Sequence, residues 1–251
     1  MVTRNEQRGE KHGGEHPSML TLASTVTLPR DGLMLISHRY RFIFLRTEKT
    51  GSTSVFHALR ELCGNSVATL AAGVPEPTDV VRGKGGVFRH YLPTIFGLWY
   101  HANAQQVQSV LGEERFASYF KFSIERNPWD RQVSLYSHRH KKRGIRDLSN
   151  FDRNMRNPLW RALHHSRVSN WDIYSIKGKP CYDYMIKYEQ LNEGFNEVLR
   201  RIGAEGKVTL AHRNSSERKD GGDYRAAYTP QTQALVAKWH AREIKEFGYS
   251  F

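Results

Sequence analysis

Two stretches of the chain carry residue types that could hold an anion. The first is Lys49-Thr-Gly-Ser-Thr-Ser54, which follows the apolar, aromatic run Arg41-Phe-Ile-Phe-Leu45 and precedes apolar residues at helical spacing. A strand end that turns into a helix start offers unpaired backbone N–H groups and the positive end of the helix dipole. Gly51 lets the backbone approach a ligand closely. Thr50 completes the loop, Ser52, Thr53 and Ser54 add hydroxyl donors, and Lys49 adds a mobile point charge. Together they describe a phosphate or sulfate cradle. The loop differs from the nucleoside-triphosphate loop G-x-x-x-x-G-K-[ST], in which Lys follows the second Gly. Here Lys49 precedes the only Gly of the loop. An ATP- or GTP-using phosphotransferase would also want an Asp at a strand end for magnesium.

The second stretch is Arg126-Asn-Pro-Trp-Asp-Arg131-Gln-Val-Ser134. Arg126 can clamp a phosphate through parallel N–H bonds, and Ser134, further along the following helix, can donate a hydroxyl. A purely structural alternative makes Arg126 and Arg131 an ion-pair set with Asp130.

Both stretches need a frame that brings strand ends together. Arg41 to Leu45 reads as a buried strand, and Val55, Phe56, Leu59, Leu62 and Cys63 fall at helical spacing before Gly64. Phe120-Lys-Phe-Ser-Ile124 reads as a strand, followed by a turn, Pro128 at a first helical position, and a helix to about His138. Tyr184-Met-Ile-Lys-Tyr188 is a third strand, residues 189–194 a connector, and Phe195, Val198, Leu199 and Ile202 a helix face closed by Gly203. Three strand–loop–helix units predict an α/β layered fold with a mostly parallel sheet. Leu33-Met-Leu-Ile36 is a further short apolar run, and residues 73–86, rich in Gly and Pro, read as loop. Thr229-Pro230 caps a C-terminal helical stretch whose Leu235, Val236, Trp239 and Phe247 form a docking face. Residues 1–18 are hydrophilic and aperiodic and read as a mobile tail, with residues 19–251 as a single domain.

Composition narrows the partners. Lys plus Arg number 38 against 25 Asp plus Glu, a net charge of +13, so the chain favours anionic company. Two cysteines, Cys63 and Cys181, rule out a disulfide scaffold. No apolar run reaches the roughly 18–20 residues of a bilayer span, and the expected setting is cytoplasmic. A nucleic-acid-binding protein is the rival from another class; it predicts basic and aromatic residues interleaved on one surface. The basic segment from His138 to Arg156 is either a solvated face or a contact for an acidic substrate.

Taken together, the two anion-holding stretches resemble the PAPS-dependent sulfotransferases (PAPS is 3′-phosphoadenosine-5′-phosphosulfate), in their carbohydrate-sulfotransferase-like branch, sulfotransferase family 2. Further likeness lies in His101-Ala-Asn-Ala, Val107, Leu111-Gly112, Tyr119-Phe-Lys-Phe, Tyr188-Glu-Gln-Leu191, Asn214-Ser-Ser216, Tyr224-Arg-Ala-Ala-Tyr228 and Phe247-Gly-Tyr-Ser-Phe251. It spans about residues 33–251, with gaps around 65–95 and 138–170. Glu48 departs from the pattern, standing where the family usually has Pro.

The resemblance implies a three-layer, P-loop-like α/β fold and transfer of the sulfuryl group of PAPS to a hydroxyl, on a carbohydrate first of all, with no metal. It assigns Lys49, Thr50, Gly51, Ser52, Thr53 and Ser54 to the 5′-phosphosulfate and Arg126 and Ser134 to the 3′-phosphate. Residues 213–221, with Arg218 and Lys219, would close over the nucleotide. Lys49 would also stabilise charge on the leaving phosphate oxygen. Attack by a hydroxyl needs a base; His101 is the first candidate, with His90 and a carboxylate such as Glu48 or Glu125 as alternatives. The acceptor, an anionic glycan among others, would be a partner, nucleic acid would not, and a small metabolite or lipid acceptor stays open.

Overall fold

The computed structural model describes residues 33–63, 67–69, 80–82, 98, 100–141, 148–163, 169–210 and 223–251. The tail at residues 1–18, His90, and the closing segment at 213–221 lie outside the described residues.

Eight strands occur among these residues: β1 (Leu33–Ser37), β2 (Phe42–Leu45), β3 (Val67–Thr69), β4 (Val80–Arg82), β5 (Phe120–Glu125), β6 (Ser175–Ile176), β7 (Lys179–Pro180) and β8 (Tyr184–Lys187). Six form one sheet in the order β3-β4-β1-β2-β5-β8, and β6 and β7 form a separate pair. β2, β5 and β8 are parallel to one another, as are β3 and β4, while β1 is antiparallel to both β2 and β4. The reversal of β1 follows from the four residues between it and β2, too few for a parallel crossover. In that turn Arg41 takes a positive φ of 51° and the Tyr40 N–H donates to Ser37 Oγ at 3.1 Å.

Helices cover both faces of the sheet. They are α1 (Ser52–Cys63), α2 (Ala104–Leu111), α3 (Glu113–Ser118), α4 (Pro128–Lys141), α5 (Phe151–Arg156), α6 (Pro158–Leu163), α7 (Leu191–Arg201), α8 (Pro230–Trp239) and α9 (Ala241–Phe247). None is long and apolar enough to cross a membrane. The pleat sends alternate strand residues to opposite layers. Phe42 and Phe44 pack with Val55, Phe56 and Leu59 of α1 and Phe195, Val198 and Leu199 of α7. Ile43 and Leu45 face the other way, toward Val107 and Leu111 of α2, Phe116 of α3 and the segment Trp171, Ile173 and Tyr174. This is the three-layer arrangement expected of the fold, and it explains why β2 reads as an uninterrupted apolar run.

Pro128 and Pro230 begin α4 and α8, and Thr229 closes a capping box with Thr232. Two local expectations are corrected. The stretch 73–86, expected as loop, contains β4: three residues paired on both sides are hidden among Gly and Pro signals. The connector expected at 189–194 is shorter, because Tyr188–Gln190 forms a 3-10 turn and α7 starts at Leu191.

Gly194 therefore lies inside a helix, and its reason is space. A Cβ there would come within 2.6 Å of Ile186 Cγ2 on β8, so α7 can lie close to the sheet only with hydrogen at this position. Gly194→Ala should lower stability by about 1–3 kcal/mol despite the better helix propensity of Ala. Combining it with Ile186→Ala should cost less than the sum of the two, as measured by urea unfolding; strict additivity would refute the contact.

Candidate functional site

The two candidate loops leave neighbouring parallel strands. Leu45 on β2 pairs with Ser123 on β5, so the strands end side by side. Ser123 Oγ donates to the Leu45 carbonyl at 2.6 Å, and Thr47 Oγ1 donates to the Ile124 carbonyl. Carboxyl ends of adjacent parallel strands are where open α/β sheets bind ligands.

The first loop turns sharply through two left-handed residues, Lys49 at φ 61° and Gly51 at φ 74°. Gly51 is required twice over: beyond its φ, a Cβ would meet Tyr188 Cε2 at 3.0 Å and Leu191 Cδ2 at 3.1 Å. The loop is held from within. Thr50 Oγ1 lies 2.8 Å from Thr47 Oγ1, and Ser52 Oγ donates to the Thr47 carbonyl at 2.7 Å. Thr50 and Ser52 are buried, so their hydroxyls stabilise the turn and their backbone is what they can offer a ligand. Thr53 Oγ1 accepts from Arg46 Nη2 at 2.9 Å. Thr53 is exposed, and Lys49 and Ser54 are half-buried.

Arg126 reaches across from the second strand end. Its Nη1 donates to the Lys49 carbonyl at 3.3 Å, while Nε and Nη2 hold Asp130 Oδ2 at 2.7 and 2.6 Å. The guanidinium lies 4.2 Å above the Tyr188 ring, the same ring that faces Gly51. Ser134, half-buried, follows Asp130 by one helical turn on α4. The ion-pair alternative is thus half right. Arg126 does pair with Asp130, but Arg131 turns to Glu125 and Glu243, each at 3.5 Å, and to His240 Nδ1 at 3.0 Å.

His101 sits beside the first loop, its Nδ1 2.8 Å from the Arg46 carbonyl. A carbonyl can only accept, so Nδ1 carries the proton and Nε2 keeps its lone pair. Burial lowers the His101 pKa to about 4, helped by the Arg46 charge and opposed by the bond to the Arg46 carbonyl. The Arg46 guanidinium itself lies 4.9 Å over the Phe56 ring and 5.3 Å over Tyr100.

The two carboxylate alternatives differ in place. Glu125 is fully buried at the end of β5; its Oε1 accepts from the Arg126 N–H at 3.0 Å and its Oε2 from the Tyr174 hydroxyl at 3.0 Å. Burial raises its pKa, against the opposing charge of Arg131. Glu48 is half-buried; burial raises its pKa too, and the charges of Arg139, Arg131 and Lys49 oppose the rise. Among the described residues no cluster of three or more His, Cys, Asp or Glu side chains is arranged to hold a metal ion.

Lys49 through Ser54, Arg126 and His101 therefore meet at the carboxyl ends of β2 and β5. The structure adds neighbours to which no site role was assigned from the sequence: Arg46, Tyr188, Asn170 and Tyr174. Arg46 and Tyr188 could have been found from their places directly after strands. Asn170 and Tyr174 lie where no periodicity marks the chain.

Residues 33–250 match the sulfotransferase family. A protein of Archaeoglobus fulgidus described only as uncharacterized is 28% identical over 111 residues, which cover 40% of this chain and 81% of that one. The chain is also similar to two solved structures. The sulfotransferase of Alicyclobacillus acidocaldarius aligns over 84% of this chain and 96% of its own, at 15% identity and TM-score 0.38. Mouse sulfotransferase SULT7A1, complexed with PAP, aligns over 84% and 86%, at 12% identity and TM-score 0.39. With nearly all of the chain from β1 onward matched, this protein belongs to the sulfotransferase family.

Proposed function

We propose that this sulfotransferase takes its sulfuryl group from PAPS and passes it to a hydroxyl of a carbohydrate, with His101 as the base. The observation that carries the donor reading is the bond between Arg126 Nη1 and the Lys49 carbonyl. It puts a cation suited to one phosphate within reach of a helix start suited to another.

PAPS, when bound, supplies an electrophilic sulfur and a leaving phosphate. Lys49 and the first N–H groups of α1 are the chain's donors to that end of the nucleotide, where charge develops on the bridging oxygen. Arg126 has five N–H donors, three of which are directed at Asp130 and the Lys49 carbonyl. The others, with the Ser134 hydroxyl, suit the 3′-phosphate. His101 Nε2 accepts the acceptor's proton as the new O–S bond forms and the bond from sulfur to phosphate oxygen breaks, leaving adenosine 3′,5′-bisphosphate (PAP). A base must be neutral to accept, and a pKa near 4 keeps His101 neutral at pH 7. The net charge of +13 suits anionic glycans as acceptors, and two cysteines in 251 residues suit a reducing, cytoplasmic setting.

Calorimetry with PAP should show Arg126→Ala binding about 10–100-fold more weakly than wild type, the loss of charge-assisted bonds. Unchanged affinity would refute the 3′-phosphate assignment. Lys49→Ala should lower PAPS-dependent kcat by ~10²–10³-fold while leaving any duplex or single-strand binding as it was. A Lys49→Ala protein with full sulfuryl-transfer activity would remove Lys49 from the mechanism. Because the folded His101 pKa lies below 6.5, the neutral base persists as pH falls and is lost only near pH 4. The profile of kcat/KM should accordingly be free of an acid limb between about pH 5.5 and 7.5, and His101→Gln should lose about 10²–10⁴-fold in kcat. An acid limb centred near 6.5 in the wild type would contradict this placement of the base.

A further inference from the structure

The segment from Asn170 to Tyr174 bonds to Glu48, Glu125 and Ala104, residues that adjoin the first loop, the second loop and the His101 turn. Asn170 is fully buried, and its side-chain amide grips one residue of the first loop at both backbone groups. Oδ1 accepts from the Glu48 N–H at 3.0 Å, and Nδ2 donates to the Glu48 carbonyl at 3.2 Å. Nδ2 also lies 3.4 Å from Glu125 Oε1, the oxygen that accepts the Arg126 N–H at 3.0 Å. Four residues on, the Tyr174 hydroxyl donates to Glu125 Oε2 at 3.0 Å. The turn is closed by the Ile173 N–H on the Asn170 carbonyl at 2.9 Å, and the Ile173 carbonyl accepts the Ala104 N–H at 2.8 Å. Ala104 begins α2 directly after the His101 turn.

The contacts fall at a particular place in the first loop. Glu48 precedes Lys49, which holds a left-handed φ of 61° without being glycine. Such a conformation is costly for a residue with a Cβ and persists only where its surroundings fix it. A two-point grip on the preceding residue, at its N–H and its carbonyl, provides that fixation. A buried amide that lost its partners would itself be unfavourable, so the grip and the loop shape favour one another.

We propose that Asn170, assisted by Tyr174 through Glu125, is a positioning residue for sulfuryl transfer. It locks the Lys49 turn, the Arg126 strand end and the His101 turn into one arrangement before the donor arrives. Its effect on nucleotide affinity rests on the PAPS reading above, whereas its effect on the loop does not.

Two measurements on the full chain separate these. Amide hydrogen exchange of the ligand-free protein should show Glu48 and its neighbours to Ser54 losing protection in Asn170→Ala. They should keep it in Val198→Ala, a core truncation on α7 that serves as the control for stability. Calorimetry with PAP should show Asn170→Ala weakened about tenfold or more relative to that control. Tyr174→Phe, which removes one hydroxyl, should weaken PAP about 2–5-fold and decides the matter if Asn170→Ala fails to fold. Loop protection and PAP affinity both at the level of Val198→Ala would overturn the proposal. A wild-type protein that binds no PAP would overturn the donor reading instead, and the exchange result alone would then decide the role of Asn170.

Discussion

A carboxylate with no exposed surface, Glu125, ties the site together. It stands at the last position of β5 and holds the Arg126 N–H, the Tyr174 hydroxyl, the Asn170 amide and the Arg131 guanidinium. A buried charge survives only when paired and fully bonded, and removing one partner of such a pair typically costs about 3–5 kcal/mol. Arg131 completes the compensation by reaching Glu243 and His240 on the C-terminal helices. Burial alone would raise the Glu243 pKa, but the His240 bond and the Arg131 charge hold it below the usual range. The C-terminal helices are thereby fastened electrostatically to the strand end that carries the second loop.

That fastening leaves the first loop free to present its backbone. Two of its hydroxyls are spent inward, Thr50 and Ser52 on Thr47, so these two side chains shape the turn. The first N–H groups of α1 are then what the loop offers an anion on the proposed reading, as helix starts do generally. Gly51 is indispensable to this because Tyr188 closes against it from the next strand end but one. The same ring stacks under Arg126, so one aromatic side chain sets the separation between the two loops.

Much of this was legible in the sequence, and the reason is the sheet. A strand buried on both faces writes itself as an apolar run, as β2 does, while β5, equally buried, is marked by Phe120, Phe122 and Ile124 alternating with Lys121, Ser123 and Glu125. The loops after them are marked by Lys49-Thr-Gly and Arg126-Asn-Pro, where glycine and proline have specific backbone work. Legibility failed where structure depends on pairing across long separations. β4 has three residues and gains its identity from β1 and β3. Gly194 reads as the end of a connector and is instead inside a helix, at a close approach to Ile186. Asn170 is an ordinary polar residue until the fold sets it against Glu48, 122 positions away in sequence.

The placement of His101 follows from the same electrostatics. Burial chiefly disfavours a proton on the imidazole, and the Arg46 guanidinium, set over the rings of Phe56 and Tyr100, adds to it. The Arg46 carbonyl works the other way on pKa but fixes the tautomer, turning the lone pair of Nε2 outward from that bond. One residue thus supplies both a charge that adds to the effect of burial and the acceptor that orients the ring. On the proposed reading of His101 as the base, negative charge arriving beside the ring would raise its pKa, so the imidazole would be strongest as a proton acceptor when an anionic donor fills the loop.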